Sequence, residues 1–199
     1  MAVPRRGRPR DPEIDVRVLE VARRHLARSG YAAMSLAAVA EEAGTTRQAL
    51  YRRWPSKADL ATAAIAAMSR ASERPPTPDP YADLVRELAA FRVGISRPDG
   101  LSMVGTMLGE STDPRLVALY RERVVAPRRA RLREILERGR SAGLLDAAAD
   151  IDVGLSMLTG SWYAHALTGS PPVPRWPERA AALVWRALGG APPDGGTGA

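Results

Sequence analysis

The sequence predicts an all-α chain in two helical parts. Three observations carry this. Ala, Leu, Arg and Glu dominate, all of them good helix formers, while aromatic residues make up only 5%. No stretch alternates apolar and polar residues with the period of two that a half-buried strand requires. Helix-start signals recur at Asp11-Pro12, Asp79-Pro80 and Asp113-Pro114, each a capping carboxylate followed by Pro at the first helical position.

The first helix is expected from Pro12 to about Ser29. Ile14, Val18, Val21, Ala22 and Leu26 recur at helical spacing, and Gly30 ends it. Ser35 caps a second, short helix with Leu36, Val39 and Ala40 turned inward, closed by Gly44. Thr45-Thr46-Arg47-Gln48 fits a capping box with Thr45 as the cap and Gln48 three residues on, opening a third helix to about Arg53. Ser56-Lys57-Ala58-Asp59 opens a fourth by the same logic, to about Ser72.

Residues 74–80 contain four Pro and read as the linker between domains, because Pro lacks the amide donor and restricts its predecessor. Helices follow near 80–97, 100–111, 114–141, 149–169 and 176–188, with a kink or split expected at Pro127. The tail, 189–199, is rich in Gly and Pro and reads as disordered. The expected division is a basic arm over 1–11, a first domain over 12–73, the linker, and a second domain over 81–188.

The composition excludes several functions. The 199-residue chain has no Cys, so no disulfide scaffold, thiol nucleophile or Fe–S cluster is available. Its two His, His25 and His165, stand far apart in the sequence, which argues against a His-based metal site or triad. It has no phosphate loop and no nucleophile elbow. The reading is therefore of a protein that is not an enzyme and has no metal or cofactor. No apolar run approaches the ~18 residues that cross a bilayer. The basic N-terminus has no apolar stretch behind it, so a cytoplasmic location is expected.

The net charge is +7 and unevenly placed. Residues 1–72 hold 13 Lys+Arg against 7 Asp+Glu, whereas residues 73–199 hold 16 against 15. A basic head on a near-neutral body is the footprint of polyanion binding, although an incidental basic surface gives the same count.

The helix pair on either side of Gly44 supplies a sharper signal. Two short helices joined by a tight Gly turn form a helix-turn-helix outline, whose second helix stands proud enough to enter a major groove. Ala49 and Leu50 can pack beneath it. Thr46, Arg47 and Gln48 can read base edges, Arg as a bidentate partner of guanine and Gln of adenine. Ser35, Tyr51, Arg53 and Lys57 are placed for phosphates, with Arg52 as the alternative to Arg53. Arg5, Arg6, Arg8 and Arg10 lie in a Gly/Pro-broken arm suited to a minor groove.

Residues 12–60 resemble the DNA-binding domain of the TetR family of transcriptional regulators. The matching residues are Gly30-Tyr31, Ser35-Leu36 through Ala43-Gly44, and Leu50-Tyr51-Arg52-Arg53-Trp54-Pro55-Ser56-Lys57 through Leu60. Lys57 is the single Lys of the chain. Trp54 departs from the Phe commoner in the family. The resemblance implies an N-terminal three-helix helix-turn-helix DNA-binding domain and a C-terminal helical domain for ligand binding and dimerisation.

For that second domain it implies a homodimer held by the last two long helices. Ile151, Leu155, Leu158, Leu183, Val184 and Leu188 are the candidate interface, with Gly154 and Gly160 allowing close approach. Burial within one chain is the other reading of the same faces. It also implies a cavity for an unknown small apolar effector. Candidate lining residues are Phe91, Met103, Met107, Tyr120, Met157, Trp162, Tyr163 and His165, although residue by residue plain core packing is the favoured reading. The Arg-rich run from Arg121 to Arg140 carries Glu at helical spacing and reads as an ion-paired face rather than a second nucleic-acid surface.

The expected function is a ligand-responsive repressor that binds a pseudo-palindromic site on double-stranded DNA as a homodimer. A nucleoid-type architectural DNA binder would share the basic arm. The base-reading residue types on the third helix favour the regulator.

Overall fold

The computed structural model describes residues 12–71, 73–97, 100, 104–105, 113–169 and 173–193. The arm residues Arg5, Arg6, Arg8 and Arg10, the candidates Met103 and Met107, and residues 194–199 lie outside them. Among the described residues the regular structure is helical throughout. The helices are α1 (Pro12–Ala33), α2 (Leu36–Glu42), α3 (Arg47–Arg53), α4 (Lys57–Ala71), α5 (Pro80–Ile95), α6 (Pro114–Tyr120), α7 (Ala126–Ser141), α8 (Ile151–Leu167) and α9 (Trp176–Ala187). The chain divides into two compact units, Met1–Ala67 with Pro98–Leu119, and Met68–Arg97 with Tyr120–Ala199.

In the first unit α1 packs on α2 and α2 on α3. Val18, Val21, Ala22 and Leu26 of α1 are buried, as are Val39, Ala40, Leu50 and Leu60 of the helices that follow. Gly30, at φ 73°, breaks α1 just after the expected end at Ser29. Gly44 ends α2 in a Schellman turn: its own N–H donates to the Glu41 carbonyl at 3.0 Å and that of Thr45 to the Ala40 carbonyl at 2.9 Å. The turn requires φ +66° at Gly44, which a side chain opposes although space around it is open.

That turn also corrects the expected start of α3. With the Thr45 amide spent on Ala40, the cap moves one residue on, to Thr46, whose hydroxyl accepts from the Ala49 amide at 3.1 Å. Gln48 is then no longer the third residue after the cap, so no capping box forms here. Ser56 does cap α4: its Oγ accepts from the Asp59 amide at 3.1 Å and donates to the Asp59 carboxylate at 2.7 Å.

In the second unit α5, α7, α8 and α9 form a closed ring, each packed on two neighbours (α5–α7, α7–α8, α8–α9, α9–α5). Leu84, Leu88, Leu132, Leu136, Leu155, Leu158 and Trp185 fill its core. A π-helical turn over Arg121–Val125 stands ahead of Pro127, where a kink was expected. Pro127 has no amide for the Arg123 carbonyl, and the wider turn, with the Ala126 amide donating to Arg121, accommodates its ring.

The Pro-rich segment is not a free linker. The Thr77 amide and hydroxyl both donate to Asp83 at 2.8 Å, Arg138 donates to the Thr77 carbonyl at 2.8 Å, and Arg86 to that of Pro75 at 3.0 Å. The first tail residues are ordered as well. Gly189 and Gly190 are the Schellman cap of α9, donating to Arg186 and Trp185 at 2.9 Å each.

Candidate nucleic-acid interface

The recognition candidate is the outward face of α3. Arg47, Gln48, Tyr51 and Arg52 are all exposed, and none has a side-chain partner among the described residues. They fall at i, i+1, i+4 and i+5, one face of a helix whose opposite side carries the buried Leu50. Thr46 is exposed too, but its oxygen is engaged as the cap.

One of the expected phosphate contacts, Arg53, is committed elsewhere. Arg53 lies three residues from Leu50 and shares its inward direction. Its Nε sits 2.5 Å from Asp15 of α1, and its side chain is only 17% exposed. Arg53 therefore ties the recognition helix to α1, and of the Arg52–Arg53 pair it is Arg52 that has no partner among the described residues. Lys57 is half-buried: its Nζ donates to the Ala32 carbonyl at 2.8 Å and lies 4.6 Å from the centre of the Tyr31 ring. That leaves two ammonium protons for a phosphate. Ser35 is exposed and caps α2, accepting from Ala38.

Ion pairs fix α1 to α2 behind this face. Glu42 accepts from Arg24 at 2.8 Å and pairs with His25 at 2.9 Å, with Arg28 at 3.6 Å. The hydrogen bonds from Arg24 and His25 hold its carboxyl down at about 2. His25, which the sequence suggests as a surface or capping residue of the first helix, is thus one member of a helix clasp.

The sequence also gives no sign that the start of α6 belongs to this unit. Arg115 reaches the buried Asp59 at 2.9 Å, and Tyr31 donates to Asp113 at 3.4 Å. Burial and then the Asp113 charge push the Tyr31 hydroxyl up to about 12.

In the second unit the expected dimer face is turned inward. Ile151, Leu155, Leu158, Val184 and Leu188 are buried within the chain, and only Leu183 is exposed. Ile151, Leu155 and Leu158 share one face of α8 as predicted, but the four-helix ring consumes it. Gly154 serves the same packing, since a side chain there would meet Leu188 at 3.1 Å, whereas Gly160 faces open space. The open face of α8 is instead Val153, Met157, Gly160 and Ala164, which line a groove with Arg129 and Asp152.

Met157, 49% exposed on that groove, is therefore not an interior ligand contact. Of the other cavity candidates, Phe91, Tyr120 and Trp162 are buried, while Tyr163 and His165 are half-buried. Phe91 meets Tyr163 edge-on at 5.8 Å. The Arg run on α7 is ion-paired with other helices as well as its own: Arg131 with Glu73 and Glu87, Arg133 with Asp152, Arg138 with Asp83, and Arg140 with Glu137. Among the described residues no cluster of ligating side chains could hold a metal, and no helix is long and apolar enough to cross a membrane.

Comparisons with known proteins agree with the helix-turn-helix geometry. Residues 18–64 match the family model for bacterial regulatory proteins of the tetR family, and residues 74–184 match that of the tetracyclin repressor-like C-terminal domain. The HTH-type transcriptional regulator YdeS of Bacillus subtilis (strain 168) is 30% identical over 171 residues, 83% of this chain and 84% of that protein. The crystal structure of the TetR family transcription regulator SCO0332 superposes with a TM-score of 0.70 at 31% identity, covering 91% of this chain and all of the other. The repressor MexZ of Pseudomonas aeruginosa shares the fold at 18% identity, with a TM-score of 0.60 over 90% of this chain and 94% of its own. The chain belongs to the TetR family of transcriptional regulators, with a helix-turn-helix DNA-binding domain at its N-terminus and no enzymatic role.

Proposed function

We propose that the protein is a cytoplasmic repressor that binds a pseudo-palindromic operator as a homodimer and leaves it when a small molecule binds the second unit. The supporting observation is the outward face of α3, where Arg47, Gln48, Tyr51 and Arg52 stand exposed and uncommitted on a helix clamped from behind. Arg47 and Gln48 read bases, and Tyr51, Arg52 and the remaining protons of Lys57 bind phosphates. The arm residues Arg5, Arg6, Arg8 and Arg10 add minor-groove contacts.

A two-fold pair presents its recognition helices roughly 34–36 Å apart, one turn of DNA. The open face of α8, with Leu183 of α9, is the surface on which the second copy sits. An effector that favours a conformer with another spacing weakens DNA binding, and DNA weakens effector binding by the same factor.

Selection from a random double-stranded DNA library at near-physiological salt tests this. A two-fold symmetric motif is expected. Binding that enriches no motif and vanishes as salt rises would replace the repressor with an architectural protein. Arg47→Ala is expected to relax selectivity at one base position per half-site and to cost about 1–3 kcal/mol there. Competition binding with singly substituted operators measures this, and unchanged selectivity removes Arg47 from base reading.

A further inference from the structure

Two indoles pack together inside the second unit and are treated differently. Trp176, the first residue of α9, and Trp162 of α8 meet at 5.1 Å, ring centre to ring centre. The Trp176 Nε1 donates to Ser161 Oγ at 3.1 Å, and that hydroxyl passes its own proton to the Leu158 carbonyl at 2.9 Å. Trp162 is 95% buried and its Nε1 has no acceptor. Buried donors without partners are rare. An indole nitrogen donates and cannot accept, so the missing partner is an acceptor.

The same cluster is rich in donors elsewhere. Phe91 touches Trp176 at 5.9 Å and Tyr163 at 5.8 Å. The Arg128 guanidinium lies 5.0 Å from the Phe91 ring centre. Neither the Tyr120 nor the Tyr163 hydroxyl has a hydrogen-bond partner among the described residues. Burial raises both, Tyr120 to about 12, so both are neutral O–H donors at neutral pH, and Arg128 is the ionised side chain that acts on each.

We propose that this cluster is a binding site for a planar aromatic carboxylate, its ring against Phe91, Trp162 and Trp176 and its oxygens facing Arg128, the two phenols and the Trp162 N–H. A hydrocarbon would leave the indole donor unanswered. A cation would meet Arg128 with no carboxylate among these groups to offset it. Flat rings suit a lining of aromatic edges and faces. The inference rests on the reading of the second unit as an effector domain, and it names the effector's class.

Calorimetric titration of the full-length protein tests it with benzoate and 2-naphthoate, against benzyl alcohol and 2-naphthalenemethanol as neutral counterparts and benzylamine as the cation. At least one carboxylate is expected to bind once per chain, ten-fold or more tighter than its alcohol. Arg128→Gln is expected to remove that preference, and Trp162→Phe, which keeps a ring and loses the donor, to weaken the carboxylate about five-fold. Melting curves of both variants establish that they are folded. Failure of both carboxylates, equal binding of alcohol or amine, or a preference that survives Arg128→Gln in folded protein would overturn the assignment. Operator release is read in parallel. A carboxylate that binds without releasing DNA leaves the class standing and removes the effector reading. A different compound that releases DNA regardless of Arg128 and Trp162 does the reverse.

Discussion

Asp83→Ala is expected to lower the stability of the protein by about 3–5 kcal/mol, the range for stranding the partners of a buried ion pair. Asp83 is 2% exposed and accepts from four donors: the Thr77 amide, the Thr77 hydroxyl, Arg86 and Arg138. Its removal leaves an amide without an acceptor and two guanidinium groups beside a vacant position. It also frees the backbone of the Pro-rich segment, which Arg138 and Arg86 hold through the Thr77 and Pro75 carbonyls. Asp83→Asn keeps one acceptor oxygen but turns an NH2 donor toward the other two donors, so it is expected to recover only part of this loss.

The pH dependence has a definite sign. Burial raises the Asp83 carboxyl, but the Thr77 amide, Arg138 and the Thr77 hydroxyl outweigh it and hold it below the ordinary 3.8. A carboxyl held lower in the folded state contributes stability above its unfolded pKa. That contribution is lost as pH falls from about 3.8 through the folded value. Urea unfolding midpoints of wild type and Asp83→Ala should therefore differ widely at pH 7 and converge in acid. A gap that is small at neutral pH, or that does not close, would remove Asp83 from this role.

Met157→Arg is expected to abolish the dimer and to raise the operator Kd by at least about 100-fold, roughly 3 kcal/mol for a charge stranded in an apolar contact. Met157 lies at the middle of the open face of α8, four residues from Val153 and three from Gly160. Met157 is 49% exposed, so the fold is expected to tolerate the change. Val93→Arg on α5, at a position 55% exposed, is the control and should alter neither property. Sedimentation equilibrium and operator gel shifts report the two effects. A dimer that survives Met157→Arg places the contact elsewhere.

The first unit was legible in the sequence wherever a local rule decides the structure. Ser35, Gly44 and Ser56 act on amides within four residues, and each does what its type and position predict. The miss at α3 shows where local rules stop. Thr45 and Thr46 both suit a cap, and only the Schellman turn at Gly44, by consuming the Thr45 amide, selects the second. The same one-residue ambiguity hid which of Arg52 and Arg53 is free, because inward and outward faces follow from the register.

In the second unit the period of α8 was readable and its partner was not. Ile151, Leu155, Leu158 and Trp162 do form one face, but spacing cannot say whether a face meets the same chain or another. Asp83 and Asp59 carried no signal of burial, since the guanidinium groups that answer them come from 55 and 56 positions away.

The place of Pro114–Leu119 bears on how this protein can be dissected. A fragment ending at the Pro-rich segment, the natural cut by sequence, would contain every side chain proposed to read DNA and still be incomplete. It would retain Asp59 in its interior and lack Arg115, the guanidinium that answers it, along with Leu116, which is fully buried. The reading head is therefore assembled from two distant stretches of chain, and inheritance or transplantation of its specificity has to carry both.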